Sequence, residues 1–109
     1  MSKKRKREAT PKARWADRAV ADLEAIGDYI ARDDPVAADR WVLKLIAAAE
    51  RMATVPRAGR RVPEFERDDL RETFLRSYRI VYRVLEQGIQ VLTVFEGHQR
   101  FPTDVDLDS

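Results

Sequence analysis

Apolar side chains in residues 17–32 recur every three or four positions, which predicts a helix with one buried face. The positions on that face are Ala19, Leu23, Ile26 and Ile30. Asp17 suits the first turn, where a negative charge interacts favourably with the helix dipole. Gly27 lies in the middle of this stretch. A glycine there costs helix propensity, so we expect it to allow a close approach by the next helix.

A second helix is predicted for residues 35–54. Asp34 suits the cap position, and Pro35 suits the first helical position because its missing N–H would be unpaired there anyway. The main apolar stripe is formed by Ala38, Trp41, Leu45, Ala48, Met52 and Val55, and it is widened by Val42, Ile46 and Ala49. Because the link between the two helices is short, we expect them to pack as an antiparallel hairpin.

From residue 70 the period of the apolar pattern changes from 3.6 to 2, which predicts strands at residues 70–76, 78–85 and 89–95. In the second of these, Tyr78, Ile80, Tyr82 and Val84 share one face, while Arg79, Val81, Arg83 and Leu85 share the other. Short links make consecutive strands antiparallel. Residues 12–15 alternate polar and apolar side chains, which is consistent with a short first strand.

These elements predict an α+β fold in which a two-helix antiparallel hairpin packs on a three- to four-stranded antiparallel sheet. The predicted domain spans residues 11–102. A basic tail at residues 1–10 is expected to be disordered, because it has no apolar periodicity and holds five consecutive basic residues. Residues 103–109 form an acidic C-terminal tail.

Charged residues make up 37% of the 109-residue chain and are unevenly distributed. Residues 1–14 hold seven basic side chains and one acid, residues 15–56 hold five bases and eight acids, and residues 57–83 hold eight arginines and five acids. Such segregation favours an acidic or polyanionic partner for the basic parts.

The composition excludes several classes of function. The absence of cysteine excludes a disulfide scaffold and a thiol nucleophile, and a single histidine, His98, excludes a histidine-rich metal site. No segment approaches the ~20 apolar residues that a membrane span requires. The basic N-terminus lacks the apolar stretch of a secretory signal. The sequence therefore predicts a cytoplasmic protein with no metal site, no cofactor and no membrane partner.

An ordered set of short motifs resembles a known family. The stretches that carry the likeness are Trp15 with Ala19, ADLEAI at 21–26, YI at 29–30, DP at 34–35, AA at 37–38, PRAGR at 56–60, VPE at 62–64, LRE at 70–72, YRIVYR at 78–83 and VFEGHQR at 94–100. Together they resemble the RelE/ParE toxin superfamily, the toxin half of bacterial type II toxin–antitoxin pairs. The resemblance covers about residues 12–102.

The resemblance implies a cognate antitoxin, ParD-like or similar, and two alternative activities. ParE-like members inhibit DNA gyrase by binding it, whereas RelE-like members cut messenger RNA on the ribosome. A third alternative is a degenerate member that binds only its antitoxin.

Cutting RNA at the 2′-hydroxyl requires an acid, a base and cations that stabilise the developing phosphate charge. The candidate residues for a nuclease are Arg61, Arg79, Glu96 and His98. By period-2 spacing, Glu96 and His98 follow the last strand on the same side, and Arg79 lies on the adjacent strand. His98 is the one side chain with an unperturbed pKa near neutrality. The alternative for Arg79 and its neighbours is a structural role, paired with acids such as Glu64 and Glu72.

The ParE-like activity, with no catalytic residue, is the one that we favour. The chain has one histidine, four acids between Glu64 and Asp69, and no lysine in or after that loop. In this interpretation the target-binding residues are Arg60, Arg61, Arg79, His98 and Arg100. The antitoxin-binding residues are Trp41, Val42, Ile46, Arg71, Arg79 and Arg83.

Overall fold

The computed structural model describes residues 11–109, so the predicted basic tail lies outside the described residues. Two helices, α1 (Asp17–Ala31) and α2 (Pro35–Thr54), pack on one face of a sheet. The strands are β1 (Ala13–Trp15), β2 (Arg60–Arg61), β3 (Leu70–Leu75), β4 (Tyr78–Val84) and β5 (Ile89–Glu96). A short 3₁₀ turn, Pro56–Ala58, joins α2 to β2. Neither helix in this part of the chain is long and apolar enough to cross a membrane.

The helical hairpin forms as the sequence predicts. Asp34 Oδ1 accepts a hydrogen bond from Ala37 N at 3.1 Å, and Pro35 opens the helix that follows. A Cβ atom added at Gly27 would lie 3.2 Å from Val42 Cγ2, so glycine permits the close approach of the two helices.

The sheet has the strand order β1-β5-β4-β3-β2, and all neighbours are antiparallel except β1 and β5. The predicted α+β fold is confirmed, but the sheet has five strands rather than three or four, and the parallel pairing of β1 makes it mixed. Strand β2 was not predicted because two residues are too few to show an alternating pattern. It is defined instead by its pairing with β3, which places Arg60 opposite Glu72.

Both faces of the sheet bury apolar side chains. The face toward the helices holds Ile80, Tyr82, Ile89, Val91 and Val94, which pack against Leu23, Leu45 and the alanines of α2. The second face holds Val62, Leu70, Val81, Leu92 and Phe95. Arg79 and Val81 thus point away from the helices, as the alternation along β4 predicts. Val81 pairs with Thr93 and Tyr82 with Val91, so Leu92 is the extra residue of a β-bulge.

The C-terminal segment, residues 103–109, lies across the second face. Val105 and Leu107 pack against its apolar cluster, and Phe101 stacks edge-on against Phe65 and Phe95. Asp104 pairs with Arg18, and Asp108 pairs with Arg67 at 3.0 Å. Two of the three acids of this segment are therefore matched by arginines of the domain, while Asp106 Oδ1 accepts a hydrogen bond from Asp108 N at 3.0 Å.

Asp22 connects helix α1 to the bulge in β5 through hydrogen bonds of its carboxylate. Its Oδ2 atom accepts hydrogen bonds from Thr93 Oγ1 at 2.6 Å and from Val94 N at 3.0 Å, and its Oδ1 atom accepts from Arg18 Nε at 3.0 Å. Thr93 and Val94 are buried, so both donors depend on this carboxylate.

Replacing Asp22 with alanine is expected to lower the free energy of unfolding by about 2–3 kcal/mol, because it leaves two buried donors without an acceptor. Urea denaturation followed by circular dichroism measures the change. Glu24→Ala, at an exposed position of the same helix, is the matched control and should stay within about 0.5 kcal/mol of the wild type. Equal effects of the two substitutions would show that Asp22 has no such role.

Candidate partner-binding surface

Three of the predicted functional residues, Glu96, His98 and Arg100, lie at one end of the sheet, where β3 turns into β4 and where β5 ends. The turn between β3 and β4 contains Arg76, whose φ of 54° lies in the left-handed region, and Ser77. Gly97 N donates a hydrogen bond to Ser77 O at 2.6 Å, which fastens the chain after β5 to this turn. His98 and Arg100 follow directly, so the fold delivers them to the same end.

Glu96 and His98 lie together, as predicted. Glu96 Oε2 is 3.6 Å from His98 Nδ1, and the side chain of His98 is 77% exposed. Both line an open groove of about 720 Å³ between α1 and the end of β5, which also includes Tyr29, Tyr78 and Arg100. Burial, followed by the nearby Glu96 carboxylate, raises the pKa of Tyr78. Carboxylate, imidazole and guanidinium are thus present at one groove. The guanidinium groups are those of Arg100 and of Arg18, which is paired with Asp22 and Asp104.

Arg79 does not join this group. It pairs in register with Phe95, on the opposite face of the sheet from Glu96. Its Nη1 and Nη2 atoms each lie 2.9 Å from a Glu64 carboxylate oxygen, and its Nε lies 2.8 Å from Glu72 Oε1. Its guanidinium also stands 5.0 Å from the centre of the Phe95 ring. The hydrogen bond from Arg79 lowers the pKa of the Glu64 carboxyl. Arg79 is thus paired with Glu64 and Glu72, the two acids that the sequence analysis named for its structural alternative.

Glu72 is the centre of this ion network. It is 1% exposed, and it binds Arg79 through Oε1 and Arg60 through Oε2, with Arg60 Nε at 2.8 Å. The Arg60 side chain is 62% exposed beyond this anchor, and its guanidinium lies over the ring of Phe74 at 5.6 Å from the centroid. Arg61 is also exposed. Because side chains alternate along β2, Arg61 lies on the opposite face of the sheet from Arg60.

Phe74 is an exposed apolar residue that the apolar pattern did not indicate. It is 48% exposed at the end of β3, beyond the apolar cluster of the second face. Alternation along β3 places Phe74 on the same face as Leu70 and Glu72, but the pattern does not show that the covering segments stop short of it. A Cβ atom added at Gly97 would lie 3.4 Å from Phe74 Cε2, so the Phe74 ring lies beside the backbone of Gly97.

The predicted antitoxin-binding residues are not brought together on one exposed surface. Trp41 packs edge-on against Tyr78 at 6.1 Å, Val42 faces Gly27, and Ile46 packs against the core. Arg71 donates to the carbonyls of Arg57 and Gly59 and pairs with Asp68, while Arg83 Nη2 donates to Ser109 O at 2.8 Å. The exposed apolar side chains of α2 are instead Val36 and Leu43, which are 66% and 65% exposed. The apolar pattern did not indicate Val36 and Leu43, because both lie outside the predicted stripe.

Comparison with known proteins adds an independent line of evidence. Residues 13–101 match the family model described as the ParE toxin of the type II toxin–antitoxin system parDE. The chain is 38% identical over 93 residues to "Putative toxin Y4kP" of Sinorhizobium fredii, which covers 82% of this chain and 91% of that protein. Over 46 residues it is 50% identical to Toxin RelE2 of Caulobacter vibrioides, covering 42% of this chain and 52% of that protein.

Among solved structures, the fold is similar to a chain of the chromosomal ParDE TA system from P. aeruginosa. The TM-score is 0.66 at 25% sequence identity, and the likeness covers 81% of this chain and 97% of that chain. The sequence and structural comparisons therefore agree over nearly the whole of the predicted domain.

Proposed function

Because the chain belongs to the ParE toxin family of type II toxin–antitoxin systems, we propose that it arrests growth by binding DNA gyrase and is neutralised by a cognate antitoxin. In this proposal the protein supplies a binding surface and no catalytic residue. Its target-facing residues are the arginines, with Arg60 and Arg100 at the shared end of the sheet and Arg61 on the neighbouring edge. His98 lies among them, but the proposal needs neither its charge nor its side chain for binding.

The position of Arg79 is the observation that carries this proposal. A nuclease needs cations beside its acid and base to stabilise charge on the phosphate. Arg79, the cation that the nuclease alternative placed beside Glu96 and His98, lies on the other face and is bound by two carboxylates. A guanidinium that is 6% exposed and neutralised in this way offers no charge to an RNA phosphate, so the nuclease alternative keeps Arg100 at the groove but loses the cation that it assigned there.

The antitoxin that the family implies is proposed to lie across the helical hairpin, where Val36 and Leu43 are exposed, and to run on toward Arg71 of β3. Exposed apolar side chains two turns apart on one face of a helix suit an amphipathic segment. Acidic side chains of that segment would complement the arginine-rich half of the chain.

A RelE-like ribosome-dependent mRNA endoribonuclease is the second candidate. It is favoured by the groove that brings together Glu96, His98 and Arg100, and by the partial likeness to Toxin RelE2. In that case His98 would transfer the proton, and Glu96 would orient it.

His98→Ala separates the two candidates. Growth arrest on induction in cells should be the same for this variant and for the wild type, because a binding toxin needs no titrating group at this position. Gln99→Ala, at the exposed neighbouring residue, is the control. Primer extension on ribosome-programmed message should show no cleavage by either protein. Site-specific cleavage that disappears in His98→Ala, with a loss of the ~10²–10⁴-fold typical of a general acid or base, would establish the nuclease instead.

A further inference from the structure

A groove between α1 and α2 combines an apolar lining with charge of a single sign. Its volume is about 480 Å³, and its apolar lining includes Val20, which is 42% exposed, together with Leu23 and Val42. Three charged residues also line the groove, and all of them are acids: Glu24, Asp28 and Asp39. A partner that fits this groove must therefore supply apolar side chains together with positive charge.

The three acids of the groove are free to pair with a partner. Glu24, Asp28 and Asp39 are exposed, and none of them forms an ion pair within residues 11–109, the part of the chain that the structure describes. Arg32 follows Asp28 by one helical turn, but its guanidinium lies over the ring of Tyr29, 5.8 Å from the centroid. The negative charge of the groove is thus not neutralised from within the described fold.

The positions of these acids are unfavourable for the helix that carries two of them. Glu24 and Asp28 are four residues apart on α1, where like charges repel each other across one turn. Asp28 also lies in the last turn of α1, which has no basic residue, and the helix dipole disfavours a negative charge there. Helix stability therefore does not account for these acids, whereas a cationic partner would offset both effects.

The groove is continuous with the exposed apolar surface of α2. Asp39 lies three residues after Val36 and four residues before Leu43, so the three side chains share one face of the helix. A segment that covers Val36 and Leu43 consequently also meets Asp39, which forms part of the groove. The partner of the apolar surface and the partner of the groove are then the same segment.

We propose that the stretch of the antitoxin that crosses the hairpin is cationic, with an apolar side chain in the groove and lysine or arginine side chains paired with Glu24, Asp28 and Asp39. This inference rests on the proposed function, in which the antitoxin lies across the hairpin. It gives the antitoxin segment two regions of opposite charge, because the stretch that runs on toward Arg71 is acidic in that proposal.

Association of the purified protein with its immobilised antitoxin tests the inference. The antitoxin used is the product of the adjacent gene that suppresses growth arrest when the two are co-expressed. The groove variant, Glu24→Gln/Asp28→Asn, should lower the association rate constant about fivefold at low salt, which is the combined effect expected of two exposed ion pairs. The difference from the wild type should shrink as salt is added, because salt screens exposed charges.

A second double variant is the matched control. Glu66→Gln/Glu86→Gln also removes two exposed acids, from loops outside the hairpin, and should associate with the antitoxin as fast as the wild type does. Thermal unfolding followed by circular dichroism separates binding from folding. The groove variant should unfold at or above the temperature of the wild type, because it loses a repulsion between like charges.

The outcomes distinguish this inference from the function on which it rests. If the groove variant and the control associate with the antitoxin within about 1.5-fold of each other, the inference is wrong while the antitoxin proposal stands. Carbodiimide cross-links between the lysines of residues 3–7 and Glu24 or Asp28 in the isolated protein would show that the chain itself occupies the groove, which would also overturn the inference. If no adjacent gene product suppresses growth arrest or binds the protein, the antitoxin proposal and this inference fail together.

Discussion

Replacing Glu72 with alanine is expected to lower the free energy of unfolding by about 3–5 kcal/mol, the largest loss that we expect from any single acidic residue in the described part of the chain. The substitution leaves Arg79 buried with one of its two carboxylate partners missing, and it releases Arg60 from its anchor. A charge left without its partner in a buried site costs more than the pair gains by forming. Urea denaturation monitored by circular dichroism measures the loss.

Glu66→Ala is the control for this prediction, because Glu66 is an exposed acid in the neighbouring loop. It should change the free energy of unfolding by no more than about 0.5 kcal/mol. Glu72→Gln, which keeps the shape and the acceptor oxygen but removes the charge, should fall between the two. A loss below about 1 kcal/mol for Glu72→Ala would mean that solvent or other groups compensate Arg79, and the account of the network would be wrong.

Local patterns predicted the helices and the long strands well. The boundary at Asp34 and Pro35 depends on capping chemistry that involves neighbouring residues alone, and the structure places α2 at the residues predicted. Alternation along β4 predicted which side chains face the helices, because a strand in a two-layer fold has only two faces. The predictions succeed where the cause of the structure is local.

Contacts between distant residues were harder to predict. Strand β2 exists because Arg60 lies opposite Glu72 across a loop, which no periodicity over two residues can reveal. The sequence placed Arg79 on a face of β4 and named Glu64 and Glu72 as acids that could pair with it, but left open whether it did so. Whether Arg79 pairs with Glu64 depends on the path of the loop that carries Glu64, and this path is a property of the tertiary fold.

In the candidate site, too, local contacts could be predicted from the sequence and long-range contacts could not. Glu96 and His98 are two residues apart, so their proximity follows from the chain itself. Phe74 was overlooked because its exposure depends on where the C-terminal segment and the loop before β3 stop covering the second face. Burial at the margin of a sheet is decided by such covering segments, and these contacts leave no regular pattern in the sequence.

The proposed action of this ParE-family protein, inhibition of gyrase by binding, is tested most directly by a supercoiling assay. Purified DNA gyrase supercoils relaxed plasmid in the presence of increasing amounts of the wild-type protein. We expect supercoiling to fall to nothing as the protein approaches the concentration of gyrase, and to fall equally for His98→Ala, because occupancy of a surface and not turnover sets the effect. Supercoiling that continues undiminished with the folded wild-type protein in large molar excess would contradict the account.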